Sequence, residues 1–122
     1  MRLTDSQVKE FLASHDDAVR DLALATRNQV LAIFPDAIET AEGNDFGYGF
    51  DRGYKGLVFT ISLTRAGVNL GVFGGASLED PAGRLEGTGK VHRHVKIGAT
   101  SDLDDELRDL LSRALEQRSA QR

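Results

Sequence analysis

The stretch LEGTGKVHRHVKI at residues 85–97 brings five side chains with chemical potential close together: Lys90, His92, Arg93, His94 and Lys96. A phosphate loop is the first chemistry to weigh. It needs G-x-x-x-x-G-K followed by Ser or Thr, so that backbone amides wrap a phosphate and the hydroxyl meets magnesium. Counting back from Gly89-Lys90, the first glycine falls on Arg84, and Val91 follows the lysine. The stretch also leads into a strand pattern, whereas a phosphate loop leads into a helix. A glycine turn feeding a strand is what remains. His92 and His94 are two apart, so on a strand they share a face and could hold a transition metal. Lys96 on that face repels a cation and argues against it.

An anion patch is the other reading of the same residues. Arg84, Lys90, Arg93 and Lys96 stand against Glu86 alone, a net +3 on a chain whose total is −4. Residues 36–51 hold five acids and no Lys or Arg, so the charge is asymmetric along the chain. Arg93 shares its period with Val91, Val95 and Ile97, which places a cation on the apolar face of a strand. It must pair with a carboxylate there or reach a pocket edge and meet an acidic ligand. Tyr48, Tyr54 and Phe50 could add stacking faces. The candidate ligand-binding set is therefore Tyr48, Arg93, His94 and Lys96. The acidic total and the lack of a broad basic face argue against duplex DNA.

These side chains need elements to position them. Thr4 followed by Gln7 fits a capping box, and Val8, Phe11 and Leu12 follow at helical spacing. The spacing predicts a short helix near 5–13 and a longer one near 16–33, with Pro35 ending it. Period two then takes over at Phe46, Tyr48 and Phe50, at Leu57 to Leu63, at Val68 to Val72 and at Val91 to Ile97, with a weaker strand at 37–42. Thr64 to Gly67 reads as a hairpin loop. Residues 74–90, rich in Gly and Pro, read as a long connection with one helical turn near Leu78. In DFGYGFDRGY at 45–54, Gly47 and Gly49 leave one strand face bare, for a close-packed helix or a ligand. Ser101-Asp102-Leu103-Asp104 opens a last helix with an apolar stripe from Leu103 to Leu115.

The order predicts an α+β fold: an antiparallel sheet of about five strands packed against N- and C-terminal helices as a two-layer sandwich. The chain reads as one domain over 1–122, with a core from about 16 to 115 and a polar tail over 116–122, whose last residues, SAQR, fray. It has no Cys, which excludes disulfides, thiolate metal sites and a Cys nucleophile. No apolar run is long enough for a membrane span, and no secretory signal is visible. No nucleophile with a base and an orienting group can be assigned, so the chain reads as non-enzymatic.

FPDAIE at 34–39 and VNLGVFGGASLEDPAGRLEGTGKVHRHVKI at 68–97, with the flanking helices, resemble the YdhG-like domain of unknown function (family 1801) over roughly residues 20–115. The resemblance implies a bacterial, cytoplasmic protein of frataxin-like fold. It also implies weak iron binding for delivery to a partner protein. Clustered acids on the first long helix and first strand would be the ligands: Asp16, Asp17, Asp21, Asp36, Glu39 and Glu42. Open carboxylates suit a hard cation held loosely. Binding a small anionic ligand or a protein or nucleic-acid partner through the basic strand at 90–96 is the competing expectation.

Overall fold

The computed structural model describes all residues from 1 to 122. Helix α1 runs Asp5–Leu12. The Thr4 hydroxyl accepts the Gln7 N–H at 3.2 Å, and the Gln7 side chain accepts the Thr4 N–H at 2.8 Å, the reciprocal cap that the spacing predicts. Val8 and Leu12 are buried, and the Phe11 ring sits 4.5 Å from Phe46. Helix α2 runs Asp17–Ile33 and ends at Phe34, just before Pro35. It turns Val19, Leu22, Ala23, Thr26, Val30 and Leu31 inward.

Five strands follow: β1 Ile38–Glu42, β2 Asp45–Gly49, β3 Leu57–Leu63, β4 Val68–Val72 and β5 Arg93–Ile97. They pair antiparallel in sequence order, β1 to β5. The antiparallel sheet with N- and C-terminal helices is therefore as expected. Phe46, Tyr48, Phe59, Ile61, Leu70, Val95 and Ile97 are buried, at alternating positions along their strands. They form the inner face, under the helices.

Strand β5 begins two residues later than the period suggests. The Val91 carbonyl accepts the Ala76 N–H at 2.9 Å instead of joining the sheet, and the Val91 side chain is 57% exposed. The connection before it contains a short 3-10 turn at Gly75–Ser77. Asp80 fastens the rest, accepting the N–H groups of Arg84 and Leu85 at 2.9 and 2.8 Å.

Helix α3 runs Asp105–Ala120, starting later than expected. Asp102 turns its carboxylate back onto the N–H groups of Gly98 and Ala99, at 2.9 and 3.1 Å, and closes a separate 3-10 turn. Asp104 caps the helix proper by accepting the Leu107 N–H at 3.0 Å. The polar end of the chain is helical as far as Ala120. Gln117 donates to Gly74 O at 3.0 Å, Arg118 donates to the carbonyls of Lys55 and Leu57 at 2.9 and 2.7 Å, and the Arg122 guanidinium lies 4.2 Å from the Phe50 ring centre. Polar side chains dock this end onto the β2–β3 connection and onto Gly74 after β4, where a count of apolar residues shows nothing. No helix is long and apolar enough to cross a membrane.

Candidate functional site

The two candidate sets meet at one point on the inner face. Glu39 and Tyr48 are directly opposite on β1 and β2, and the Tyr48 hydroxyl donates to Glu39 Oε2 at 2.7 Å. Arg27 of α2 completes the group, donating from Nε to Oε2 at 2.7 Å and from Nη2 to Oε1 at 2.8 Å. The Leu3 N–H donates to Oε1 at 2.9 Å. Glu39 is only 2% exposed and Tyr48 is fully buried. Burial pushes the Glu39 carboxyl up, but the hydrogen bonds from Arg27, Tyr48 and Leu3 outweigh it and hold the carboxyl below its usual range. Burial and the Glu39 charge push the Tyr48 hydroxyl far above its ordinary value, so it stays protonated as a donor. The hydrogen bond to Glu39 raises Arg27 further. Each Glu39 oxygen already takes two hydrogen bonds, so in this structure the residue holds Arg27 rather than an ion. Sequence reasoning missed Arg27. The signal was Glu39 itself, a charge in register with Ala37 and Ala41 on the inward side and in need of a cation.

The remaining acids do not converge. Asp16 precedes α2, Asp17 pairs with Arg20, and Asp21 lies one turn further along; all three are exposed. Asp36 sits in the turn before β1, and Glu42 ends β1. No group of three or more His, Cys, Asp or Glu side chains is positioned to hold a metal ion.

The basic strand is divided between the two sides of the sheet. Tyr48 and Arg93 take the inner side, and His94 and Lys96 the outer. Arg93 finds no carboxylate; its Nε donates to the Gly89 carbonyl at 2.7 Å at the margin of the sheet. That corrects the expectation of a structural ion pair. Lys96 lies 3.8 Å from Glu86. His92 Nδ1 accepts the Gly74 N–H at 3.0 Å, and its ring packs 4.3 Å from Phe73, so one of the two histidines is already committed.

The outer face carries no α-helix, only the short 3-10 turn Tyr54–Gly56 at its margin. Thr40, Gly47, Thr60, Gly71 and His94 form one row in register across all five strands. A Cβ on Gly71 would lie 2.2 Å from Thr60 Oγ1, and one on Gly47 would lie 2.7 Å from Thr40 Oγ1. The glycines therefore make room for threonine side chains lying across neighbouring strands, and not for a helix above them. Tyr54, 68% exposed, meets Phe73 at 5.4 Å with the rings inclined at 65°. These rings, Thr40, Thr60, Glu42 and Asp45 line a cavity of about 340 Å³ floored by Gly47 and Leu57.

Larger hollows lie elsewhere, and two of them gather both cations and acids around helix α1, α2 or α3. One, of about 490 Å³ at the start of α3, is lined by Arg84 and Arg113, which are paired with Asp104 and Asp109. The other, of about 540 Å³ between α1 and α2, sets Lys9, Arg20 and Arg27 beside Asp5 and Asp21. In neither do rings, hydroxyls and unpaired charge meet as they do on the outer face.

The match to a family model spans residues 8–118, nearly the whole fold. The chain belongs to DUF5655, a domain of unknown function. The span runs from within α1 to near the end of α3 and takes in every strand of the DUF5655 sheet. No curated protein and no solved structure matches the chain.

Proposed function

We propose that this DUF5655 domain is a non-enzymatic, cytoplasmic binding module whose site is the cavity on the open face of the sheet. One observation carries the reading: a glycine-and-threonine floor beside two aromatic rings, on a face that no α-helix covers. Small-molecule sites combine apolar walls with a few placed polar groups, and this surface has both. A ligand selective for the native state raises its stability, so thermal-shift screening of small molecules tests the reading. A hit is expected to stabilise the natural chain and to lose its effect in Thr60→Phe, which fills the floor. Hits that stabilise both equally would place the site elsewhere.

The YdhG-like and frataxin-like resemblance supports a second reading, weak iron binding for delivery to a partner protein. Its favouring observation is the exposure of Asp16, Asp17 and Asp21 near the start of α2. Under that reading, Fe²⁺ broadens amide signals near Asp17 and Asp21; no change at millimolar iron removes it. The anionic-ligand reading draws on the far side of the open face, at His94 and Lys96.

A further inference from the structure

The charges of the open face decide what the cavity would hold, an inference that rests on the binding-module reading above. One row in register across the sheet runs Glu42, Asp45, Ser62, Asn69, Lys96. Its cation, Lys96, is matched by Glu86. Its two acids have no ion pair and stand directly opposite each other across the β1–β2 hairpin. Like charges so placed destabilise a strand pair unless something positive lies near them. Both carboxylates line the cavity, and no Lys, Arg or His does. The other wall is the corner of Tyr54 and Phe73; His92 packs on the Phe73 ring at 4.3 Å, so it is the exposed Tyr54 ring whose π system attracts a cation that has shed part of its water. Thr40 and Thr60 add hydroxyls that accept or donate hydrogen bonds.

We infer that the cavity binds a small organic cation, an alkylammonium compound whose charged head sits between the Glu42–Asp45 rim and the Tyr54–Phe73 corner. The volume of about 340 Å³ is at the small end of ligand cavities, which suits a free small molecule. An anion is disfavoured here, because both rim charges would repel it.

The test is an amide NMR titration of the full chain with choline, with its uncharged isostere 3,3-dimethylbutan-1-ol and with phenylacetate. Choline is expected to shift the signals of Thr40, Gly47, Thr60 and Phe73. The neutral isostere should bind about tenfold more weakly, as loss of a desolvated cation–π contact implies. The paired substitution Glu42→Gln and Asp45→Asn, at exposed positions, should weaken choline similarly, and Tyr54→Leu should do so independently. Equal binding of choline and its isostere would overturn the cation inference while leaving a binding cavity in place. Phenylacetate shifting His94 and Lys96 instead would reverse the sign of the ligand and overturn it too. If no probe moves these signals, the inference falls, and the thermal-shift screen separately decides whether the cavity binds anything.

Discussion

Glu39 and Glu42 are three residues apart on β1 and belong to opposite faces of the sheet. Glu39 points under the helices, where Arg27, Tyr48 and Leu3 supply four hydrogen bonds. Glu42 lies on the open side, exposed and without an ion pair. Residue type is the same; strand parity and the helical layer make one a structural anchor and leave the other available to a ligand. A buried carboxylate must be matched by the fold itself. An exposed one is solvated and can exchange water for a cation.

Several substitutions would break or sharpen this contrast. The largest effect is expected from Arg27→Ala, which strands the Glu39 charge in the interior. Urea unfolding should show a loss of about 3–5 kcal/mol, the range for orphaning one partner of a buried pair. A loss below 1 kcal/mol would mean water reaches Glu39 and the two faces are not so different. A smaller effect follows from Gly71→Ala, because the new methyl meets Thr60 Oγ1 at 2.2 Å on the outer face. Side-chain rotation relieves part of that, so about 1–3 kcal/mol is expected.

The acid limb of stability sharpens the contrast further. The Glu39 carboxyl is held below its usual range in the folded chain, so its contribution is present above about pH 4.3, the unfolded value, and is lost as pH falls through the lower folded value. A urea-midpoint series against pH should therefore be flatter below about pH 4.3 in Glu39→Gln than in the natural chain. Parallel curves would show that Glu39 does not carry the acid limb. The smallest effect is expected from Glu42→Gln, within about 0.5 kcal/mol of neutral, as for surface changes generally. A cost approaching that of Arg27→Ala would erase the distinction between the faces.

Much of the fold was legible because local signals agreed with it. The Thr4–Gln7 box placed α1, Pro35 stopped α2, and period two marked every strand but β1, which was only weakly legible. Boundaries failed where a side chain turned back on its own backbone or a loop claimed a strand residue, at Asp102 and at Val91. Alternation at Gly47 and Gly49 correctly pointed to a bare face, but its occupants were the Thr40 and Leu57 side chains at Gly47 and the Gly56 backbone at Gly49, known only once the register was known. Arg27 was hidden for a different reason. It flanks the buried stripe of α2, and its partner lies across the helix–sheet layer, where no local spacing reaches. Tyr48 and Arg93 were grouped with His94 and Lys96 by type, and strand parity set them on the other side.

The division of labour between the faces has one most direct measurement: mapping a mixed library of small fragments onto the amide NMR spectrum of the full chain. On this account the shifted signals cluster at Thr40, Gly47, Thr60 and Phe73, while those of Arg27, Glu39 and Tyr48 stay in place. Shifts centred on Arg27, Glu39 and Tyr48, or on the hollow at the start of α3, would contradict it.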